Sequence, residues 1–214
     1  LAQYPSMRCL HLVLTVKNCD VDTLRDTIES LGRGWQRLMQ RKRVRSIVKG
    51  YVKSIEVTRS NSGDAHPHVH ALLMVPSYYF GHAQYYISYE EWRDMWRECM
   101  RLDYDPQVHI TACRQAQGYE KVVRELVKYS TKVQDLLQDV DWLITYIHQV
   151  HNLRFFSTGG VVREALGELE RESENLIAVG EEQPEETDVL ALSWFDWKRD
   201  VKRYQHKETK AKGG

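Results

Sequence analysis

A chain of 214 residues, 42% hydrophobic and 28% charged, has the makeup of a globular protein with one large domain or one domain plus an appendage. No uninterrupted apolar run reaches the roughly 18 residues a membrane span needs, and no signal-peptide pattern opens the chain, so no membrane association is expected. The four cysteines are scattered without a Cys-x-x-Cys pair, which points to a reducing, cytoplasmic compartment, and the start at Leu1 rather than Met leaves room for a segment upstream.

In chain order, Leu10, Leu12, Leu14 and Val16 alternate and predict a strand. Asp20 or Asp22 can cap a helix to about Arg43, with Leu24, Ile28, Leu31, Trp35 and Leu38 on its apolar side. Ser46–Thr58 reads as a strand, Asn61-Ser62-Gly63-Asp64 as a turn, and Pro67–Val75 as the returning arm of a hairpin. Ser88 caps a helix to about Met100, packed by Trp92, Met95 and Trp96. Gln107–Cys113 is a short strand, Gly118–Lys132 and Asp135–His151 are helices, and residues 155–160 break the chain before a helix from Val161. The order βαββαβα predicts an α+β fold, a ferredoxin-like or RRM-like antiparallel sheet with helices on one face and a C-terminal helical extension. The expected divisions are 1–132 for the core, 133–171 for the extension, 172–190 for an acidic linker or loop, and 191–214 for a C-terminal segment.

The formal net charge of zero conceals segregation. Residues 33–59 carry nine basic side chains against one acid, Glu56, whereas residues 164–188 hold ten acids. Arg41, Lys42, Arg43, Arg45, Lys49, Lys53 and Arg59 are candidate phosphate contacts, because a basic stretch attracts the DNA backbone. A solvated helix end at Arg41–Arg45 is the plainer alternative. The acidic segment, with Gly180, Pro184 and little periodicity, reads as a linker.

Two segments carry chemistry. In His66-Pro67-His68-Val69-His70, followed by Ala71-Leu72-Leu73-Met74-Val75, His68 and His70 leave the same face of a strand. Two neutral imidazoles side by side can chelate a divalent metal, or can be surface histidines on an exposed face. Glu56, across the hairpin, is the candidate third ligand, with an ion pair to Arg59 as its alternative. Two imidazoles, one carboxylate and open positions suit Mn²⁺ or Mg²⁺, and would also admit zinc. His66 reads as a turn residue or a supporting group. His11, His82, His109, His148, His151 and His206 stand alone, which for a histidine usually means a structural role. In the second segment, Glu125, Lys128, Tyr129 and Lys132 fall at i, i+3, i+4 and i+7 of a helix and share one stripe. Flanking cations favour the phenolate, an oxygen nucleophile. A solvated helix face with a Glu–Lys pair is the alternative. Tyr119 and Tyr146 are rival nucleophiles without the lysine pattern.

Together these motifs resemble the HUH endonucleases, and most closely the Rep initiators of small bacterial rolling-circle plasmids. Leu12-Val13-Leu14-Thr15-Val16-Lys17-Asn18 is similar to that family's first motif, His66–Val75 to its second, and Glu125–Lys132 to its third, including a glutamate four residues before the tyrosine. The resemblance implies metal-dependent nicking of single-stranded or hairpin origin DNA, with Tyr129 forming a 5′-phosphotyrosine. It implies Glu125 as general base for a terminating cut, and a host helicase and polymerase as partners. It also supports a carboxylate at Glu56. A relaxase or transposase of the same superfamily is an alternative reading. Others are a non-catalytic single-strand-binding module, for which the strands offer mainly Tyr51, and a metal-stabilised structural domain.

Overall fold

Alternation of apolar residues builds the sheet. In the computed structural model, β1 (Met7–Thr15) sends Leu10, Leu12 and Leu14 inward. β2 (Gly50–Arg59) contributes Ile55 and Val57, and β3 (Ala65–Pro76) contributes Val69, Ala71, Leu73 and Val75 to the same core. The structure describes residues 6–113 and 139–167, with the backbone alone of 195–198 and 203–206. The strand order is β4-β1-β3-β2-β5, with β4 at Val108–Ala112 and β5 at Phe156–Gly160, and every neighbouring pair is antiparallel. This is an α+β fold with a central antiparallel sheet and flanking helices, similar in general arrangement to ferredoxin-like and RRM-like folds.

Helix α1 (Leu24–Gln40) buries Leu24, Ile28, Leu31, Trp35 and Leu38 at helical spacing. A single turn at Val21–Thr23 precedes it, started by the Asp20 side chain, which accepts from the Asp22 amide. The helix ends earlier than expected. Arg41 takes extended backbone angles, and Lys42–Ile47 forms a separate short helix, α2, that buries Val44 and Ile47. The break lets α2 turn its own apolar pair inward, so the basic run is a distinct element and β2 starts only at Gly50. Helix α3 (Tyr89–Met100) opens on a reciprocal capping box between Ser88 and Glu91 and buries Trp92, Trp96, Cys99 and Met100. A Cβ at Gly34 of α1 would collide with the Met100 side chain, so that glycine sets how closely the two helices approach.

Helix α4 (Val140–Val150) is capped by Asp139 and tied to the β2–β3 turn by the Trp142 indole, which donates to the Gly63 carbonyl. Residues 155–160, expected as a break, instead form edge strand β5 on β2. The two glycines that suggest a break are what allow the pairing. A Cβ at Gly159 would overlap the Tyr51 ring, and Gly160, at φ +57°, leaves no room for one beside the Lys49 carbonyl.

The chain divides into two units, Leu1–Glu172 and Ser173–Gly214. The second contains an antiparallel pair, β6 (Phe195–Lys198) with β7 (Arg203–His206). The tyrosine helix expected at Gly118–Lys132, with Glu125, Lys128, Tyr129 and Lys132, lies outside the described residues, as do Tyr119 and most of the acidic segment. Among the described residues no helix is long and apolar enough to cross a membrane, and all four cysteines are free thiols.

Candidate active site on the open face of the sheet

The strand residues that alternate with the core project from the opposite face of the sheet. Directly paired residues share a face, so the register defines rows of side chains. One row runs His109, Val13, His70, Ser54 and Phe156 across all five strands. The next row toward the hairpin turn holds Thr15, His68 and Glu56. Glu56 is thus directly opposite His68 and diagonal to His70.

The geometry around Glu56 is tight. Its Oε2 lies 2.8 Å from His70 Nε2, and both side chains are buried, at 5% and 7% exposure. Its Oε1 is also buried and makes no hydrogen bond with a described residue. A buried carboxylate oxygen without a donor is costly, and a cation would relieve that cost. His68 Nε2 lies 3.4 Å from Thr58 Oγ1. His66 belongs to β3 rather than to the turn, and its ring centroid is 4.0 Å from that of His68. Burial pushes the His66 pKa below the ordinary histidine value, and the Glu56 charge acts in the opposite direction.

His11 and His109, expected to stand alone, belong to this face. The His11 ring stacks on His70 with centroids 5.7 Å apart and planes 17° apart. His109 lines an open pocket of about 560 Å³ together with Thr15, Glu56, His66, His68 and His70. Tyr89 and Gln107 complete part of its wall. The signal for His11 was present in the sequence. If Leu10, Leu12 and Leu14 point inward, His11 points outward, and only the pairing of β1 with β3 was missing. Phe156, 49% exposed on this face, is a strand aromatic that the apparent break at residues 155–160 concealed.

Among the described residues, no group of three His, Cys, Asp or Glu side chains converges as a metal site would require. Glu56 turns one oxygen onto His70 instead. In type and placement, His68, His70 and the unbonded oxygen of Glu56 suit a hard divalent cation with open positions.

The basic candidates do not gather around this pocket. Gly50 pairs with Met74, six residues along the ladder from the Glu56–His68 pair, or about 20 Å. α2 therefore lies toward the far end of the sheet, because a neighbour in sequence can be a strand length away in space. Arg41 pairs with Glu98 at 2.7 Å, and Arg43 donates to the carbonyls of Gln84 and Tyr86. Lys49 donates to the Ser46 carbonyl. Arg59 pairs with Asp139 at 2.7 Å and lies over Trp142, which fastens α4 to the hairpin. Lys53, expected on a DNA-facing surface, is 5% exposed and shares the core-facing side of β2 with Ile55 and Val57. Burial, then the nearby Arg154, lowers its pKa. Lys42 and Arg45 remain exposed.

The replication protein family model matches residues 1–205 of this chain. A replication protein of Staphylococcus aureus is 29% identical over 96% of this chain and 93% of its own length. A protein rep of Lentilactobacillus hilgardii is 30% identical over 92% of this chain and 67% of its own length. A protein rep of Streptococcus pneumoniae is 38% identical over 61% of this chain and 42% of its own length. No solved structure matches. A match across nearly the whole chain, on a sheet whose open-face pocket is lined by four histidines and a buried glutamate, makes this chain a member of the replication protein family.

Proposed function

We propose that the chain initiates rolling-circle plasmid replication by nicking single-stranded or hairpin origin DNA, in the manner of the HUH endonucleases. The observation that carries this reading is Glu56, buried beside His70 and opposite His68, with one carboxylate oxygen to which no described residue donates a hydrogen bond. His68, His70 and Glu56 would hold Mn²⁺ or Mg²⁺, which when bound polarises the scissile phosphate and offsets the charge developing on it.

The chain's own groups do the rest. Tyr129 attacks phosphorus through its phenolic oxygen, whose proton is lost. The new Tyr–O–P bond forms as the bond to the 3′ oxygen breaks, and that oxygen takes up a proton. The products are a 5′-phosphotyrosine and a 3′-hydroxyl that a host polymerase extends once a helicase has opened the duplex. Lys128 or Lys132 lowers the phenol pKa or contacts the phosphate. Glu125 activates a water or hydroxyl for the second, terminating cut. Phe156 offers a ring against which a base can stack beside the histidines.

Incubation with labelled single-stranded origin DNA and Mn²⁺ tests this reading. A covalent adduct is expected, lost in Tyr129→Phe with DNA binding retained. Glu125→Ala should form the adduct and then fail to release it. An adduct of full yield in Tyr129→Phe would overturn the nucleophile assignment. Binding with no adduct in any condition would favour a non-catalytic single-strand-binding module. Strand transfer confined to conjugative or transposon ends would favour a relaxase or transposase.

A further inference from the structure

Between β3 and α3, residues 77–88 carry five aromatic side chains in twelve positions. Tyr79 is buried, and its hydroxyl donates to the carbonyl of Ile87 at 3.1 Å, so the loop is anchored at both ends. The other four rings, Tyr78, Phe80, Tyr85 and Tyr86, are 36–49% exposed. One exposed ring is ordinary, but four on a single anchored loop form a surface. The loop exposes no large aliphatic side chain, so it presents flat rings rather than a general apolar patch.

Cations border these rings. Arg43 of α2 donates to the Gln84 and Tyr86 carbonyls and thereby fixes α2 against the loop. The exposed Lys42 and Arg45 on that helix make no ion pair with a described residue. The loop ends at Tyr89, which lines the histidine pocket. Rings accept the faces of unstacked bases and ammonium or guanidinium groups accept phosphates, and this pairing recognises a single strand without regard to sequence.

We propose that residues 77–88 and α2 form a second single-stranded DNA surface, continuous at Tyr89 with the histidine pocket, with Tyr78 and Tyr85 stacking bases and Lys42 and Arg45 holding phosphates. This deepens the proposed function and rests on its premise that single-stranded DNA is the substrate.

The test is fluorescence anisotropy of the full chain with a labelled oligothymidylate of about 20 nucleotides, in EDTA so that metal plays no part. The double variant Tyr78→Ala/Tyr85→Ala should weaken binding about tenfold or more, whereas Tyr78→Phe/Tyr85→Phe, which keeps both rings, should bind like the parent. Lys42→Ala/Arg45→Ala should reduce the salt dependence of log K by about two. Photocrosslinks from bromodeoxyuridine-substituted oligonucleotides to the unsubstituted chain should map to residues 77–88, a readout that survives even if the alanine variant misfolds. Parent-like affinity in a folded alanine variant, or crosslinks confined to other segments, would overturn the proposal. So would an alanine variant that loses only self-association, which would make the loop a protein contact. Normal binding in EDTA without any adduct in Mn²⁺ would sink the nicking mechanism and leave this surface standing. Normal nicking with no binding loss in the alanine variant would do the reverse.

Discussion

The two ends of the central β2–β3 ladder have opposite characters. At the hairpin end, Glu56 and His70 are drawn out of water and buried against each other, and the less buried His66, His68 and His109 line the same open pocket. At the other end, the 77–88 loop and α2 leave aromatic rings and cations in water. Buried polar groups held in a fixed arrangement suit a reacting phosphate, whose charge must be met without reorganisation. Exposed rings and cations suit a substrate whose sequence and path vary. Charge density along this sequence therefore does not locate the chemistry, because the basic run lies about 20 Å along the ladder from the histidines.

The largest effect is expected from Glu56→Ala. If the hairpin end carries the reaction, nicking should fall about 100-fold or more, while oligonucleotide affinity in EDTA stays within about twofold. A gel assay for the covalent adduct beside anisotropy decides it, and equal loss of both would make Glu56 a folding residue.

Gly160→Ala probes the far end by its fold. Its positive φ and the Lys49 carbonyl leave no room for a methyl group, so β5 should loosen from β2 at a cost of about 2–3 kcal/mol. Chemical denaturation measures this, and unchanged stability would mean that β5 adds little to the sheet.

Phe156→Ala asks whether the histidine face also grips bases. Stability should change little because the ring is half exposed, while single-strand affinity should drop by about 1–2 kcal/mol. An unchanged affinity in anisotropy would confine base stacking to the loop.

The smallest effect concerns Lys53, on the buried side between the two ends. Its folded-state pKa lies below that of the unfolded chain because burial and Arg154 disfavour the charge. Its contribution to stability is therefore absent at neutral pH and appears only as pH rises through the lowered value toward the ordinary lysine value of 10.5. Lys53→Met should raise stability at pH 7 by about 1 kcal/mol and flatten the rise at alkaline pH, without affecting DNA binding. Thermal melts across pH test this, and a destabilised variant would show that the ammonium has a favourable partner.

Local periodicity carried much of the fold. Leu10, Leu12 and Leu14, the α1 stripe from Leu24 to Leu38, the Ser88 cap and the hairpin turn are all patterns within a single element. Each is set by neighbours a few residues away, which a sequence displays directly. The same periodicity put His68 and His70 on one face, and the turn between β2 and β3 brought Glu56 opposite His68 and diagonal to His70.

What the sequence could not decide was which strands become neighbours. Placing β1 between β4 and β3 brings His11 onto His70 and His109 into the same pocket, from residues 59 and 39 positions away in the chain from His70. Gly159 and Gly160 break a strand when read alone, and make one possible only once Tyr51 and the Lys49 carbonyl stand beside them. Lys53 reads as one more basic side chain until β2 turns it toward the core. These outcomes depend on long-range pairing, whose energy comes from burying the whole sheet rather than from any local preference. The faces of the histidine hairpin follow from alternation along two strands joined by a short turn, whereas the distant residues that share that face were set by the pairing of whole strands.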